Sequence, residues 1–216
     1  NYQKEERTQI GSSSVDYEKA ALSRYMTSVY KMMCYALLLS GASAWVVAHS
    51  ETLRNMFLGS GAYFVMCIVE LVLVFAISGG ISKFEAKTLN ILFIVYSIIN
   101  GITLSAIFMV YELGLIETAF FITAGTFGAC SFLGYKIKKD LSFVGQICFF
   151  LLIGGIIASI VNIFLASSAL DWILTYVMLG VFVVLTVVDT QRLKNAGFHY
   201  LAEQDQQRWV VAGALT

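Results

Sequence analysis

The sequence predicts an all-α membrane protein, a helical bundle with six spanning helices and the start of a seventh. Apolar residues make up 58% of the 216 positions, charged residues only 13%, and the mean hydropathy is +0.78. A soluble domain of this length needs more charge to cover its surface, whereas lipid favours an apolar exterior. The apolar residues are also grouped into long runs, as spanning helices require.

Six apolar runs have lengths close to the ~20 residues that a helix needs to cross the hydrocarbon core. They cover residues 32–49, 56–78, 89–110, 115–135, 143–166 and 172–189. The polar residues 1–31 are predicted to form a flexible tail, and residues 32–216 to form the transmembrane bundle. The tail contains acidic as well as basic side chains and no small-residue cleavage site follows it. We therefore interpret the first run as a retained span rather than a signal peptide.

The final segment, from Trp209 to Thr216, is apolar but rises only ~12 Å as a helix, which is less than half of a bilayer core. It either lies at the membrane interface or begins a seventh helix that continues beyond Thr216. Tryptophan is a common interfacial anchor at the start of a span. We therefore expect an incomplete seventh helix.

The placement of lysine and arginine predicts the orientation of the chain in the membrane. Thirteen of these residues fall in the tail, the second and fourth loops, and the segment after the sixth span. Arg54 alone falls in the first loop, and the third and fifth loops have none. Because loops on the cytosolic side carry the excess of lysine and arginine, the N-terminus is predicted to be cytosolic.

Two polar residues within the predicted spans are candidates for an ion pathway. Glu70 is an isolated carboxylate in the second span, ~12 Å from the predicted cytosolic end. A charge in the bilayer core costs about 2.5–3.5 kcal/mol on insertion scales, so such residues usually face a bundle interior. Glu70 therefore either binds an ion or proton, or holds helices together through a hydrogen bond. Asn100, in the third span, either lines a pore or bridges two helices.

Asp189 ends the sixth span, directly after the apolar run Leu185–Val188. This position places its carboxylate at the edge of the membrane rather than within the following loop. Position alone leaves two interpretations open. Asp189 is either a boundary residue solvated among the headgroups or a functional group at a cytosolic mouth.

The sequence gives no support for an enzyme or for a nucleic-acid partner. It contains no metalloprotease, nucleophile-elbow or phosphate-loop motif, so we expect neither catalysis nor a cofactor. The four cysteines lack metal-ligand spacing, and the net charge of zero argues against a basic face for nucleic acid. Small residues in the fourth and fifth spans predict close helix packing. The glycines concerned are Gly125, Gly128, Gly134, Gly154 and Gly155.

Four segments together resemble the Bax inhibitor-1 family (transmembrane Bax inhibitor motif proteins), in its bacterial branch. They are Asn100–Ser105 in span three, Tyr135–Phe143 across the fourth loop, Val161–Leu165 in span five and Asp189–Gln191 at the end of span six. The lysine-rich loop and the Asp-Thr-Gln element, in this order and at this spacing, are the more specific of these segments. The resemblance covers almost all of the sequence after the polar tail.

The resemblance implies a seven-helix fold with a central helix, in the inner (plasma) membrane of a bacterium, and a link to calcium leak. In that family two aspartates on the cytosolic side act as a pH-dependent latch. Asp189 matches the first, and the second belongs to the seventh helix, beyond Thr216. Glu70 matches the acidic residue of the family's second helix, and Lys83 is the nearest candidate for the basic partner of the latch.

Two aspartates in a partly dry site cannot both ionise cheaply, so the pair is expected to share one proton. Raising the pH removes that proton, and repulsion then opens the cytosolic mouth to Ca²⁺, a cation that suits carboxylate oxygens. The resemblance thus implies a pH-sensitive calcium leak channel, with Ca²⁺ as the transported ion and membrane lipid as its surroundings. Two alternatives remain open: a non-transporting regulator that binds a membrane protease or cell-death factor, and a proton-coupled transporter in which Glu70 carries the proton.

Overall fold

The structure is a computed structural model that describes residues 2–59, 61–81, 83–200 and 206–215. Within these ranges the regular secondary structure is entirely helical, which confirms the all-α prediction. The helices are α1 (Tyr2–His49), α2 (Glu51–Phe57), α3 (Ala62–Gly80), α4 (Ala86–Leu104), α5 (Ile107–Val110), α6 (Leu113–Lys136), α7 (Ser142–Leu165), α8 (Ser168–Tyr200) and α9 (Gln206–Leu215).

Six helical segments among the described residues are long and apolar enough to cross a membrane, which confirms the six predicted spans. Large apolar side chains are widely exposed on them, as Phe75 (74% exposed), Phe121 (73%) and Phe164 (84%) illustrate. Exposure of this extent is unfavourable in water and favourable in lipid. The chain is therefore an integral membrane protein. The segments are Lys19–His49, Ala62–Gly80, Ala86–Val110, Leu113–Lys136, Ser142–Leu165 and Ser168–Gly197.

The first span differs from the sequence prediction at its start. Residues 1–31 were expected to form a flexible tail, but α1 runs without interruption from Tyr2 to His49. The segment contains no proline, and most of its residues tolerate helix well. The one glycine of residues 1–31, Gly11, destabilises a helix by only about 1 kcal/mol, so a helix nucleated in the apolar part can extend through it.

The second and third spans each contain a break that hydropathy does not reveal. The second was predicted over residues 56–78, but α3 begins only at Ala62, after Gly61 with φ of +85°. A left-handed conformation of this kind suits glycine and ends helical continuity. In the third span, α4 ends at Leu104 and α5 begins at Ile107; between them the buried Ser105 donates its hydroxyl to the Ile102 carbonyl at 2.5 Å.

The sixth span was predicted to end at Asp189, whereas α8 continues as a helix to Tyr200. Hydropathy marks where a helix leaves the lipid, not where its backbone stops. The segment after Asp189 contains no proline. Polar side chains of the next turn also find partners on neighbouring elements, described below, so the helix remains supported beyond its apolar part.

The chain divides into two compact units. The first comprises Asn1–Glu117 with Gly197–Thr216, and the second comprises Thr118–Ala196. In the first unit α9 packs against α1, α3 and α4. Val211 of α9 is 1% exposed and joins a buried apolar cluster. The structure thus confirms that a further helix begins near Trp209, and it places that helix among the others of its unit. The other buried members of the cluster are Ile77, Leu89 and Phe93.

A close helix crossing holds α1 against α4 in the first unit. A methyl group on Gly101 would overlap the backbone carbonyl of Ser40 and would lie 2.7 Å from Cβ of Ser43. The buried Ser40 hydroxyl donates to the Ser97 carbonyl at 2.7 Å. Small side chains thus permit the approach, and an interhelical hydrogen bond supports it, as is common in membrane bundles.

The second unit contains most of α6 together with α7 and much of α8. Gly134 of α6 lies against the Val187 carbonyl and Thr190 of α8, and Gly155 of α7 lies against the Met178 side chain. The predicted small-residue packing is therefore confirmed at these two glycines. At Gly125, Gly128 and Gly154 an added methyl group would meet no described atom of this unit within 4 Å, so the prediction gains no support there.

Candidate functional site

Glu70 lies near the middle of α3, eight residues after Ala62, which is about 12 Å along the helix axis. Its side chain is half-buried. The Thr103 hydroxyl, from the last turn of α4, donates to Glu70 Oε1 at 2.7 Å. Glu70 is therefore directed toward α4, with Thr103 as its hydrogen-bond partner among the described residues.

Asn100 lies one turn before Thr103, at a half-buried position of α4. Its backbone carbonyl accepts a hydrogen bond from the Thr103 hydroxyl at 3.0 Å. The same hydroxyl thus has two acceptors within reach, Glu70 Oε1 and the Asn100 carbonyl. Asn100 and Glu70 are therefore neighbours through Thr103, close to the break between α4 and α5. No described residue is hydrogen-bonded to the amide side chain of Asn100.

Asp189 lies 21 residues after Ser168, about 32 Å along α8, which is close to the ~30 Å thickness of a hydrocarbon core. Its side chain is 27% exposed. Arg192, one turn further along the same helix, donates to Asp189 Oδ1 at 3.4 Å. Asp189 is thus a half-buried carboxylate near one end of its span, and its ion-pair partner in the described structure is Arg192.

Gln191 connects α8 to the loop between α6 and α7. The side chain is 5% exposed. Its amide nitrogen donates to the carbonyls of Ile137 (3.2 Å) and Lys139 (2.7 Å), and its amide oxygen accepts from the Leu141 backbone at 3.0 Å. One buried side chain therefore satisfies three backbone groups that the loop leaves without helical partners.

Three exposed lysines accompany this loop: Lys136, the last residue of α6, and Lys138 and Lys139 in the loop itself. Asp140 accepts from the hydroxyl (2.6 Å) and the backbone N–H (2.8 Å) of Ser142. These two hydrogen bonds hold the pKa of the Asp140 carboxyl below its ordinary value. Asp140 is therefore ionised near neutral pH, although the loop remains positively charged overall.

Lys83, the expected basic partner of the latch, is exposed in the turn after α3. Its backbone N–H donates to the Gly80 carbonyl at 2.9 Å. The described residues include no ion pair of its side chain. Its assignment to the latch remains a prediction.

Sequence reasoning gave no role to Thr103, Arg192 or Gln191. The i,i+3 spacing of Asp189 and Arg192 on one helix was a visible signal for an ion pair. The Thr103–Glu70 contact joins residues on different helices, so no local pattern predicts it. Gln191 belongs to the Asp-Thr-Gln element, but its binding to the loop appears only in three dimensions.

Another group of polar contacts, which sequence analysis did not predict, joins the end of α7 to the start of α8, far from Asp189 along α8. Asn162, 6% exposed, donates to the carboxylate of Asp171 and to the Ser167 carbonyl. Its side-chain oxygen accepts from the Ser167 backbone at 3.1 Å. The turn includes Ala166 with φ of +48°, a strained conformation for a residue other than glycine. The hydrogen bonds of Asn162 stabilise this strained turn, and they explain why an amide side chain is present in an apolar span.

Comparisons with known proteins give a consistent picture. The sequence model of a family described as inhibitor of apoptosis-promoting Bax1 matches residues 22–216. The inner membrane protein YbhL of Escherichia coli K12 is 40% identical over 208 residues, or 95% of this chain and 89% of YbhL. An uncharacterized protein of Borreliella burgdorferi is 36% identical over 174 residues, or 80% and 75% of the two chains. An uncharacterized membrane protein of Streptococcus pyogenes serotype M6 is 30% identical over 200 residues, or 90% and 86%. No solved structure gives a significant match.

The fold and the two half-buried carboxylates define a polytopic α-helical membrane protein with acidic groups inside its spans. The chain belongs to the Bax inhibitor family, which confirms the resemblance noted in the sequence.

Proposed function

We propose that this protein is a pH-sensitive calcium leak channel of the bacterial inner membrane, with its N-terminus in the cytosol. Glu70 and Asn100 contribute to the ion pathway, and Asp189 is the group whose protonation closes the cytosolic mouth. The proposal needs no enzymatic activity and no resident cofactor. Ca²⁺ is the transported ion.

The observation that carries the proposal is the state of the two half-buried carboxylates within the spans, Glu70 and Asp189. Among the described residues each carboxylate accepts a hydrogen bond from one side chain, Thr103 for Glu70 and Arg192 for Asp189. Oxygen atoms therefore remain at both sites to replace part of the hydration shell of a hard cation. Carboxylates that served only to join helices would have more of their oxygens bound to protein.

The gating step follows from charge repulsion. Asp189 is paired with a second aspartate in the family's latch, and two such groups share a proton when they approach. At low pH the shared proton joins the helices and closes the mouth. At higher pH both groups ionise and repel one another, so the mouth opens and Ca²⁺ moves down its gradient.

The direct test is Ca²⁺ entry into liposomes that contain the purified protein and an internal calcium dye, measured as a function of external pH. We expect entry that increases with pH and needs no added solute or nucleotide. Absence of Ca²⁺ entry at every pH, with the protein correctly folded, would favour the non-transporting regulator. Proton flux that requires a particular solute would favour the proton-coupled transporter with Glu70 as carrier.

A further inference from the structure

A cleft of about 580 Å³ opens between α7 and α8 in the second unit, within the size range of ligand pockets. Most of its wall is apolar. Phe149 and Phe150 are 56% and 73% exposed on α7, and the less exposed Leu152 and Leu185 also line the cleft. A surface of this kind suits a hydrocarbon chain.

One end of the cleft is polar and carries a cation. Gln146, Asp189 and Arg192 line it. The Arg192 side chain is 53% exposed, and it lies against Gly145 so closely that a methyl group there would contact its guanidinium. A guanidinium has five N–H donors, and Asp189 Oδ1 is the acceptor that the described residues supply. Arg192 therefore keeps donors available for an anion.

The two ends of the cleft differ in membrane depth. Arg192 follows Gln191, which binds the loop between α6 and α7, so the polar end lies at the level where the spans leave the membrane. Leu152 lies seven residues after Gly145 on α7, about 10 Å deeper in the bilayer. The cation is thus at headgroup level and the apolar wall is at acyl-chain level.

We propose that this cleft binds an anionic phospholipid, with its phosphate on Arg192 and an acyl chain along Phe149, Phe150 and Leu152. Arginine binds phosphate oxygens through two parallel N–H bonds, which makes it suited to this position. The exposed lysines of the Lys136–Lys139 loop lie at the same level and raise the local positive potential. That potential favours an anionic headgroup over one that carries its own cation. The inference does not depend on calcium transport.

The test is native mass spectrometry of the purified, delipidated protein titrated with phosphatidylglycerol or with phosphatidylcholine. We expect preferential binding of phosphatidylglycerol, reduced about tenfold by Arg192→Gln, which removes the phosphate contact. Arg192→Lys should retain part of the affinity. Leu185→Trp, which fills the apolar part without changing charge, should also weaken binding.

Lys194→Gln is the matched control. Lys194 lies on the same helix, but its ammonium donates to the Tyr135 carbonyl of α6 at 2.8 Å and does not line the cleft. Its loss should leave phosphatidylglycerol binding within about twofold of wild type. Equal binding of the two lipids, or wild-type binding by both Arg192→Gln and Leu185→Trp, would overturn the proposal. Displacement of the lipid by inorganic phosphate at equal concentration would also overturn it, because the ligand would then be the free anion.

Discussion

The hydroxyl of Thr103 donates to the carboxylate of Glu70 at 2.7 Å and joins α4 to α3 inside the predicted membrane core. An interhelical hydrogen bond in a membrane contributes about 0.6 kcal/mol on average. That energy is modest compared with the cost of a carboxylate in the bilayer core, about 2.5–3.5 kcal/mol. The contact therefore orients Glu70 but does not by itself account for its presence in the span.

Glu70→Gln keeps the shape of the side chain and its hydrogen bond with Thr103 while removing the charge. We expect Ca²⁺ entry into liposomes to fall sharply and the melting temperature to change by only a few degrees. Glu112→Gln, at an exposed position outside the helices, is the control and should leave entry unchanged. Unaltered Ca²⁺ entry in Glu70→Gln at every pH would leave Glu70 as a packing residue.

Thr103→Val removes the hydroxyl that orients Glu70 and preserves the branched shape. We expect a loss of about 0.6–1.5 kcal/mol in the free energy of unfolding and a partial decrease in Ca²⁺ entry, smaller than for Glu70→Gln. Thr126→Val is matched to it, because among the described residues the Thr126 hydroxyl donates only to the Ile122 carbonyl of its own helix. If the two valine variants behave alike, the Thr103–Glu70 contact has no role in conduction.

The helix crossing at Gly101 gives a prediction about stability. Gly101→Ala places a methyl group against the Ser40 carbonyl, and overpacking of this kind costs typically about 1–3 kcal/mol. Gly125→Ala is the same substitution at an open helical position, where alanine is favoured over glycine by about 0.5–1 kcal/mol. Thermal unfolding in detergent should therefore show a lower melting temperature for Gly101→Ala alone. Equal melting temperatures would show that α1 and α4 do not approach this closely.

Membrane orientation is tested by thiol labelling in a background without the four native cysteines. Ser142 and Asn55 are both exposed, on the predicted cytosolic and outer sides respectively. In intact cells a membrane-impermeant reagent should label Asn55→Cys and leave Ser142→Cys unmodified. Ser142→Cys should react only after the membrane is permeabilised. Labelling of Ser142→Cys from outside would reverse the assigned orientation.

Hydropathy predicted the number of spans because lipid selects apolar runs of a fixed length. It did not predict the break at Ser105, which lies within an apolar run, or the continuation of α8 past Asp189, because hydropathy reports contact with lipid and not the continuity of the helical backbone. Gly134 and Gly125 look alike in the sequence, yet among the described residues of their unit Gly134 lies against α8 and Gly125 meets no neighbouring helix. Which face of a helix meets a neighbour depends on tertiary packing, and a sequence pattern of small residues does not specify it.

The candidate site was predictable only in part, for a similar reason. Glu70 and Asp189 stand out because a carboxylate inside or beside an apolar run is costly. Thr103 and Gln191 are ordinary polar residues whose importance depends on what they contact in the fold. The resemblance to the family supplied the proposed role of Asp189, and no physical feature of the sequence alone distinguishes that role from headgroup solvation.

The most direct test of the central claim is Ca²⁺ entry against pH for the wild-type protein, Asp189→Asn and Asp189→Ala, with folding checked for each. Asp189→Asn cannot ionise but still forms hydrogen bonds, so the mouth should stay closed across the pH range. Asp189→Ala also loses the hydrogen bond that closes the mouth, so it should stay open. Opposite effects of two neutral substitutions are the result that the latch predicts. If both variants keep the pH profile of the wild type, Asp189 is a solvated boundary residue and the proposed gating is wrong.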